Sequence, residues 1–240
     1  QIISSFPAHW RYGLSATIGK SPAKKRISEL IFGPILYETE KSDLKPVIKI
    51  VETGFDFGYH PTHKRKVGKK TKVIRNNYKE MMTALVQDWE RNEKIAKVIS
   101  CDTEAAHLIV SNRIEHLEAI RGILENISDI TCYNLTGKEG LERRMEIYEL
   151  ADAGNCAVFS TLGVAGEALD IPRLDRIHLA FPMKNEETVW QVIGRGARLH
   201  ENKDSCIIFD YKDEVEVLKN QHLHRLRKVY QKRELEVQSE

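Results

Sequence analysis

The stretch CAVFSTLGVAGEALDIPRLDRIHLAF, Cys156 to Phe181, decides how this chain folds. It holds two short apolar runs, CAVFST and RIHLAF, separated by small residues and the turn-forming Asp170-Ile171-Pro172. Runs this short and this continuously apolar read as strands buried on both faces, the pattern of a parallel sheet. The first run ends in Ser160-Thr161, and LGVAGEA after it reads as a small-residue loop. In open α/β sheets ligands bind at the carboxyl ends of the strands. Hydroxyls there suit sugar-phosphate contacts, and Asp170 suits a ribose hydroxyl. A turn followed by a helix cap explains the same residues without a ligand.

The pattern repeats on both sides. Upstream, apolar Met81, Leu85, Val86 and Trp89 predict one helix. HLIVS (His107 to Ser111) predicts a strand, RIEHLEAIRGILENI an amphipathic helix and ITCYNL a strand. EGLERRMEIYELADAG predicts a helix ended by Gly154. Downstream come the helix EETVWQVIGRGAR, the strand SCIIFDY and the closing helix DEVEVLKNQHLHRLRKVYQKR. Strands alternating with amphipathic helices predict an α/β fold, a parallel sheet with helices on both faces. PVIKIVET (Pro46 to Thr53) alternates like a strand, and GFDFGYHPTHKRKVGKK after it reads as a loop or hairpin tip.

QVIGRGAR carries the strongest chemistry. Gln191, Arg195 and Arg198 stand at i, i+4 and i+7, which on a helix share one face. Two neighbouring guanidiniums repel unless an anion lies near, and their planar forks bind phosphate oxygens in pairs. Gly194 and Gly196 each cost a helix roughly 1 kcal/mol relative to Ala, which suits a backbone that something must approach closely. A solvated basic helix face is the plainer alternative.

RYGLSATIGKS (Arg11 to Ser21) resembles a phosphate loop, but five residues separate Gly13 from Gly19 where such a loop has four. The added residue re-aims the converging amides. A strand, YGLSAT, running into a loop is the better reading.

Composition sets wider bounds. The chain has 240 residues, 41% hydrophobic and 30% charged, with net charge +2. That is ordinary for a globular protein and implies no polyanion partner by itself. The charge is uneven, since Phe57 to Lys79 lacks any Asp or Glu and contains HKRKVGKKTKVIR. A second acid-free run is Val217 to Arg233. The basic run from His63 to Arg75 suits phosphate contacts or a solvated loop. Arg225, Arg227 and Lys228 suit the solvated face of a helix packed on the sheet. His222 and His224 do not share a helix face and suggest no metal site. Cys101, Cys132, Cys156 and Cys206 are scattered, as buried small hydrophobes in a reducing cytosol would be. No apolar run approaches the roughly 20 residues of a membrane helix.

In order, these segments resemble the C-terminal half of superfamily 2 helicases and translocases. LSAT (Leu14 to Thr17) resembles motif III, and HLIVSNRIEHLEAI resembles motif IV. LTGKEGLERR resembles the next motif, STLGVAGEALDIP motif V and QVIGRGAR motif VI. DWERNEKIAKVI and LIFGPILYE are similar to segments of phage recombination and excision-repair DNA helicases. DEAD-box RNA helicases usually carry His where Gln191 stands. Motif V usually has Gly where this chain has Ala168. Neither a phosphate loop nor a D-E-x-[HD] box occurs.

The resemblance implies a RecA-like second lobe at residues 76–240. It implies the end of a first lobe, carrying motif III, at 1–45, with 46–75 a basic linker or hairpin insertion. It implies ATP and Mg²⁺ as cofactors, the Mg²⁺ ligands lying on a first lobe of the same parent protein. Arg195, Arg198 and Gln191 would be catalytic, and Asp170, Gly166, Glu167 and Gly194 would bind the nucleotide. Asn112, Arg113, Gly137, Ser160 and Thr161 would hold DNA, with Ser15 and Thr17 coupling the two sites. The expected protein is a monomeric cytoplasmic DNA helicase or translocase, bacterial, phage-encoded or nucleoid-associated, acting in repair or recombination. This chain alone would be inactive. The alternatives are an RNA helicase, a non-catalytic nucleic-acid-binding module and an ATPase using Gly19-Lys20-Ser21.

Overall fold

The apolar runs of the sequence become the strands of one sheet. A computed structural model describes residues 9–10, 12–13, 22–37, 44–58, 63–67, 70–74, 78–167 and 169–239. In chain order the elements are α1 (Pro22–Phe32), β1 (Val47–Glu52), β2 (His63–Val67), β3 (Lys70–Ile74), α2 (Tyr78–Gln87), α3 (Trp89–Ser100), β4 (Ala106–Ser111), α4 (Ile114–Ile127), β5 (Thr131–Leu135), α5 (Leu141–Asp152), β6 (Cys156–Thr161), α6 (Leu162–Glu167), β7 (Arg176–Leu179), α7 (Glu186–Gly196), β8 (Ile207–Lys212), α8 (Glu216–Arg225) and β9 (Glu236–Ser239).

The chain divides into units 1–41 and 42–240. The first contains α1, which stops at Gly33 with φ +86°. There the Gly33 N–H donates to the Glu29 carbonyl at 2.8 Å, the left-handed glycine ending expected of a helix. Leu14 to Ser21, with Ser15, Thr17 and the Gly19-Lys20-Ser21 triplet, lie outside the described residues.

In the second unit seven strands lie in the order β5-β6-β4-β7-β8-β1-β9, and every neighbouring pair is parallel. Side chains alternate between two cores, as strand geometry requires. Leu108, Val110, Val158, Ile177 and Ile208 pack with α5 and α7 on one face. Ile109, Ala157, Phe159 and Phe209 pack with α3 and α4 on the other. The expected α/β fold, RecA-like with helices on both faces, is therefore what forms.

Several elements differ from the sequence reading. β1 was expected in a linker or insertion, yet it lies inside the sheet between β8 and β9. Its Ile48 and Val51 are fully buried on opposite faces, which tethers the segment. The basic run after it takes one of the two forms expected of it, an antiparallel hairpin with His63 opposite Ile74. The expected first helix is two, because Asp88 accepts from the Arg91 N–H at 2.7 Å and starts α3. Trp89 consequently leaves the apolar stripe and is exposed. LGVAGEA, read as a loop, contains the whole of α6.

The closing helix was expected to turn a basic face to water. Arg225 is instead buried, its guanidinium donating to both carboxylate oxygens of fully buried Asp210 at 2.6 and 3.0 Å. Tyr230 donates to the same carboxylate at 2.7 Å. A π-helical turn, Leu226–Tyr230, rotates Val229 and Tyr230 into the core. The chain then passes Glu234, at φ 54°, and adds β9 beside β1, a strand the sequence did not announce.

Candidate functional site

The site begins with α7, whose start is capped by Asn185. The Asn185 side chain accepts from the Glu187 and Thr188 amides at 2.9 and 3.2 Å. Val189, Val192 and Ile193 face the sheet, which turns Gln191 outward and leaves Arg195 half-buried. Gly196 is required by packing: a Cβ there would lie 2.5 Å from Ile177 Cγ1. Gly194 differs, since nothing lies within 4 Å of the Cβ it lacks.

Arg195 Nη2 donates to the Gly166 carbonyl at 2.9 Å, joining α7 to α6. Its Nε and Nη1 meet no acceptor among the described residues. Burial, and then the positive charge of Arg198, pull the Arg195 pKa below its usual range. That is the electrostatics of a site that gains from an anion. Glu167 ends α6.

Arg198 corrects the helix-face expectation. α7 ends at Gly196, so Arg198 lies beyond the helix and its direction is not set by an i+7 relation. It comes to the same place by another route, forming an ion pair with Asp170. Lys203, which sequence reasoning missed, is buried, and among the described residues it donates only to backbone carbonyls, that of Arg198 included. A lysine in a polar turn gives no sequence signal of burial.

The strand ends form a second cluster. Strand register sets Leu135, Ser160 and Val110 in one row, and Ser111 beside Thr161. Ser160 is buried, its hydroxyl donating to the Leu135 carbonyl at 2.8 Å, so it ties β6 to β5 instead of lining the surface. Thr161 is half-buried and donates to the Thr136 carbonyl at 3.3 Å. Gly137, at φ +93°, donates its N–H to Glu139 Oε2 at 2.9 Å. Burial would raise the Glu139 pKa, but bonds from Thr136 and Gly137 hold it below the usual carboxylate value. Asn112 is exposed, and Arg113 Nη1 donates to Thr83 Oγ1 at 3.1 Å.

Beneath Asn112 lies a buried network, also missed. Arg91 donates to Asp213 at 2.7 Å and to the Ala180 carbonyl at 2.8 Å. Asn92 donates to the Val86 carbonyl, leaving its Oδ1 to accept from His116 Nε2 at 3.0 Å. His116 Nδ1 then accepts from Ser111 Oγ, which accepts from the Arg113 N–H at 3.1 Å. Burial, followed by the charges of Arg91 and Arg113, keeps His116 neutral with a pKa well below normal.

For a polyphosphate the donor set fits: two guanidiniums near each other, one with N–H groups that meet no acceptor among the described residues. Among the described residues no three His, Cys, Asp or Glu side chains converge as metal ligands. No helix among them is long and apolar enough to cross a membrane.

A doubly covered parallel sheet, with Arg195 on α7 and Arg198 just past its end, has the form of a RecA-like fold. Residues 90–200 match the family described as "Helicase conserved C-terminal domain". Residues 90–200 are thus similar to the C-terminal domain of helicases, and the fold is that of a RecA-like lobe. It is 31% identical over 96 residues to the putative ATP-dependent helicase IRC3 of Saccharomyces cerevisiae, covering 40% of this chain and 14% of that protein. It is 26% identical over 219 residues to the transcript termination protein A18 of Yaba monkey tumor virus, covering 87% and 43%. It is 30% identical over 106 residues to the probable helicase D10 of Escherichia phage T5, covering 43% and 23%. The chain thus spans less than half the length of these relatives. The crystal structure of T4 UvsW matches 92% of the chain and 46% of its own at TM-score 0.64 and 18% identity. S. cerevisiae Dbp5 bound to RNA and ADP BeF3 matches 94% and 50% at TM-score 0.60 and 12% identity.

Proposed function

We propose that this chain is the C-terminal motor part of an ATP-dependent DNA helicase or translocase, forming one wall of the ATP site and half of the nucleic-acid track. A first lobe of the same protein, outside this sequence, would supply the phosphate-cradling loop and the Mg²⁺ carboxylates. Coverage of less than half of each relative's length supports that division. The carrying observation is the meeting of Arg195 and Arg198 beside Gly166 and Asp170.

In this reading ATP supplies a phosphoanhydride whose hydrolysis develops charge on the transferred group. Arg195 turns its free N–H groups to that charge while Gly166 holds its third nitrogen. Arg198 exchanges Asp170 for phosphate as the lobes close. Such an arginine contributes about 10³- to 10⁵-fold in rate in comparable phosphoryl-transfer enzymes. Gly194 leaves open space for the approaching ligand. Asn112, Arg113 and Thr161 hold strand phosphates, and Ser160 and Gly137 shape the loops that present them. The residue span 1–45 would be the end of the first lobe, with Ser15 and Thr17 as coupling residues. The hairpin residues 63–74 would add phosphate contacts whose strength falls with salt.

In the full-length protein, Arg198→Ala is expected to cut nucleic-acid-stimulated ATP turnover by about 10³-fold or more. Unchanged turnover would refute the assignment. Gln191 favours DNA, whereas the RNA held by the neighbour Dbp5 favours RNA. Stimulation by each nucleic acid separates the two.

A further inference from the structure

We propose that Lys203 is a positioning residue that sets where Arg198 and Asp170 stand. Its Nζ lies 2.5 Å from the Gly196 carbonyl and 2.9 Å from the Arg198 carbonyl, in the turn that ends α7. It also lies 2.5 Å from the Leu174 carbonyl and 3.2 Å from the Pro172 carbonyl, in the loop that follows Asp170. An ammonium has three hydrogens, so these four acceptors share them. The residue is 6% exposed, and it forms no ion pair among the described residues.

Capping a helix end would explain only the first two bonds, because terminal carbonyls attract a cation. The other two reach a segment 29 and 31 residues earlier in sequence. One buried cation therefore cross-links the two backbone segments that carry the Arg198–Asp170 pair. The pair needs such a support. Arg198 lies past the helix end, and Asp170 is 73% exposed, so the pair by itself holds little. Arg173, Asp175, Cys206 and Arg198 are the titratable groups around the ammonium, and burial is the main force lowering its pKa.

The inference rests on the arginine-wall reading, and a double-mutant cycle in the full-length protein tests both. Lys203→Met is expected to lower nucleic-acid-stimulated turnover by about 10²-fold, the scale of an ångström-sized misplacement. KM for ATP should change less than turnover. In an Arg198→Ala background, Lys203→Met should cost less than about 2-fold more, because residues acting as one unit are not additive. Lys203→Arg, which keeps a cation for the carbonyls, should restore part of the loss. Equal losses in both backgrounds would show that Lys203 serves stability alone and overturn the inference. An Arg198→Ala protein with normal turnover would instead overturn the arginine wall, and the inference with it. Should Lys203→Met not fold, Lys203→Gln takes its place in the same cycle, and full turnover in that variant counts against the proposal.

Discussion

Two glycines two residues apart in α7, Gly194 and Gly196, should respond oppositely to the same substitution. In Gly196→Ala the new methyl would sit 2.5 Å from Ile177 Cγ1, 2.9 Å from Ile177 Cδ1 and 3.0 Å from Cys206 Sγ. Carbon atoms pack at about 3.5–4.0 Å, so α7 must retreat from β7 or Ile177 must leave its rotamer. Overpacking of this kind costs about 1–3 kcal/mol. Ala gains at most about 1 kcal/mol over Gly in a helix, and less at the last residue. The net is a loss of about 1–2 kcal/mol, or a Tm lower by roughly 2–8 °C for a domain of this size. Gly194→Ala meets nothing within 4 Å, so the propensity gain stands alone and Tm should rise by roughly 2–4 °C. Thermal and urea unfolding of the two variants beside the parent decide the matter. Equal stability of the two variants would refute the packing argument. In the full-length protein Gly194→Ala should nevertheless lose ATP turnover if a ligand fills that space.

Breaking the buried pair by Arg225→Met should cost about 3–5 kcal/mol, because Asp210 is left charged without its partner, and urea unfolding measures it. Burial opposes the Asp210 charge but Arg225 outweighs it, so the folded pKa lies below the ordinary carboxylate value. That contribution is present above the unfolded pKa of 3.8 and is lost as pH falls below it, which acid titration of stability should show. Burial lowers the folded pKa of His107, His116 and His178 from 6.5. Their contribution is therefore present above 6.5 and declines below it, by at most about 1.4 kcal/mol per pH unit for each. Urea midpoints should fall from pH 7.5 to pH 5. Cys156 and Cys206 are buried with thiol pKa values pushed up to about 12. Iodoacetamide at pH 8 should label exposed Cys101 first, as peptide mass mapping would show.

What was legible in the sequence was local. Apolar runs such as HLIVS and CAVFST announce strands because both faces of a parallel strand are buried, leaving little room for polar residues. Gln191 and Arg195 were legible as one face because a helix fixes i and i+4. The resemblance to the helicase lobe followed from the order of such segments. Tertiary contacts decided the rest. Where Arg198 stands depended on the turn after Gly196, whose carbonyl, like that of Arg198, meets the Lys203 ammonium. β9 and the burial of Arg225 depended on the π-helical turn and on Asp210 in the sheet. Ser160 looked like a surface hydroxyl until the register placed it beside Leu135. Lys203 had no local signature at all, because its four partners are backbone carbonyls from two distant segments. Periodicity records which face of an element is buried. It does not record which polar group from elsewhere will meet it there.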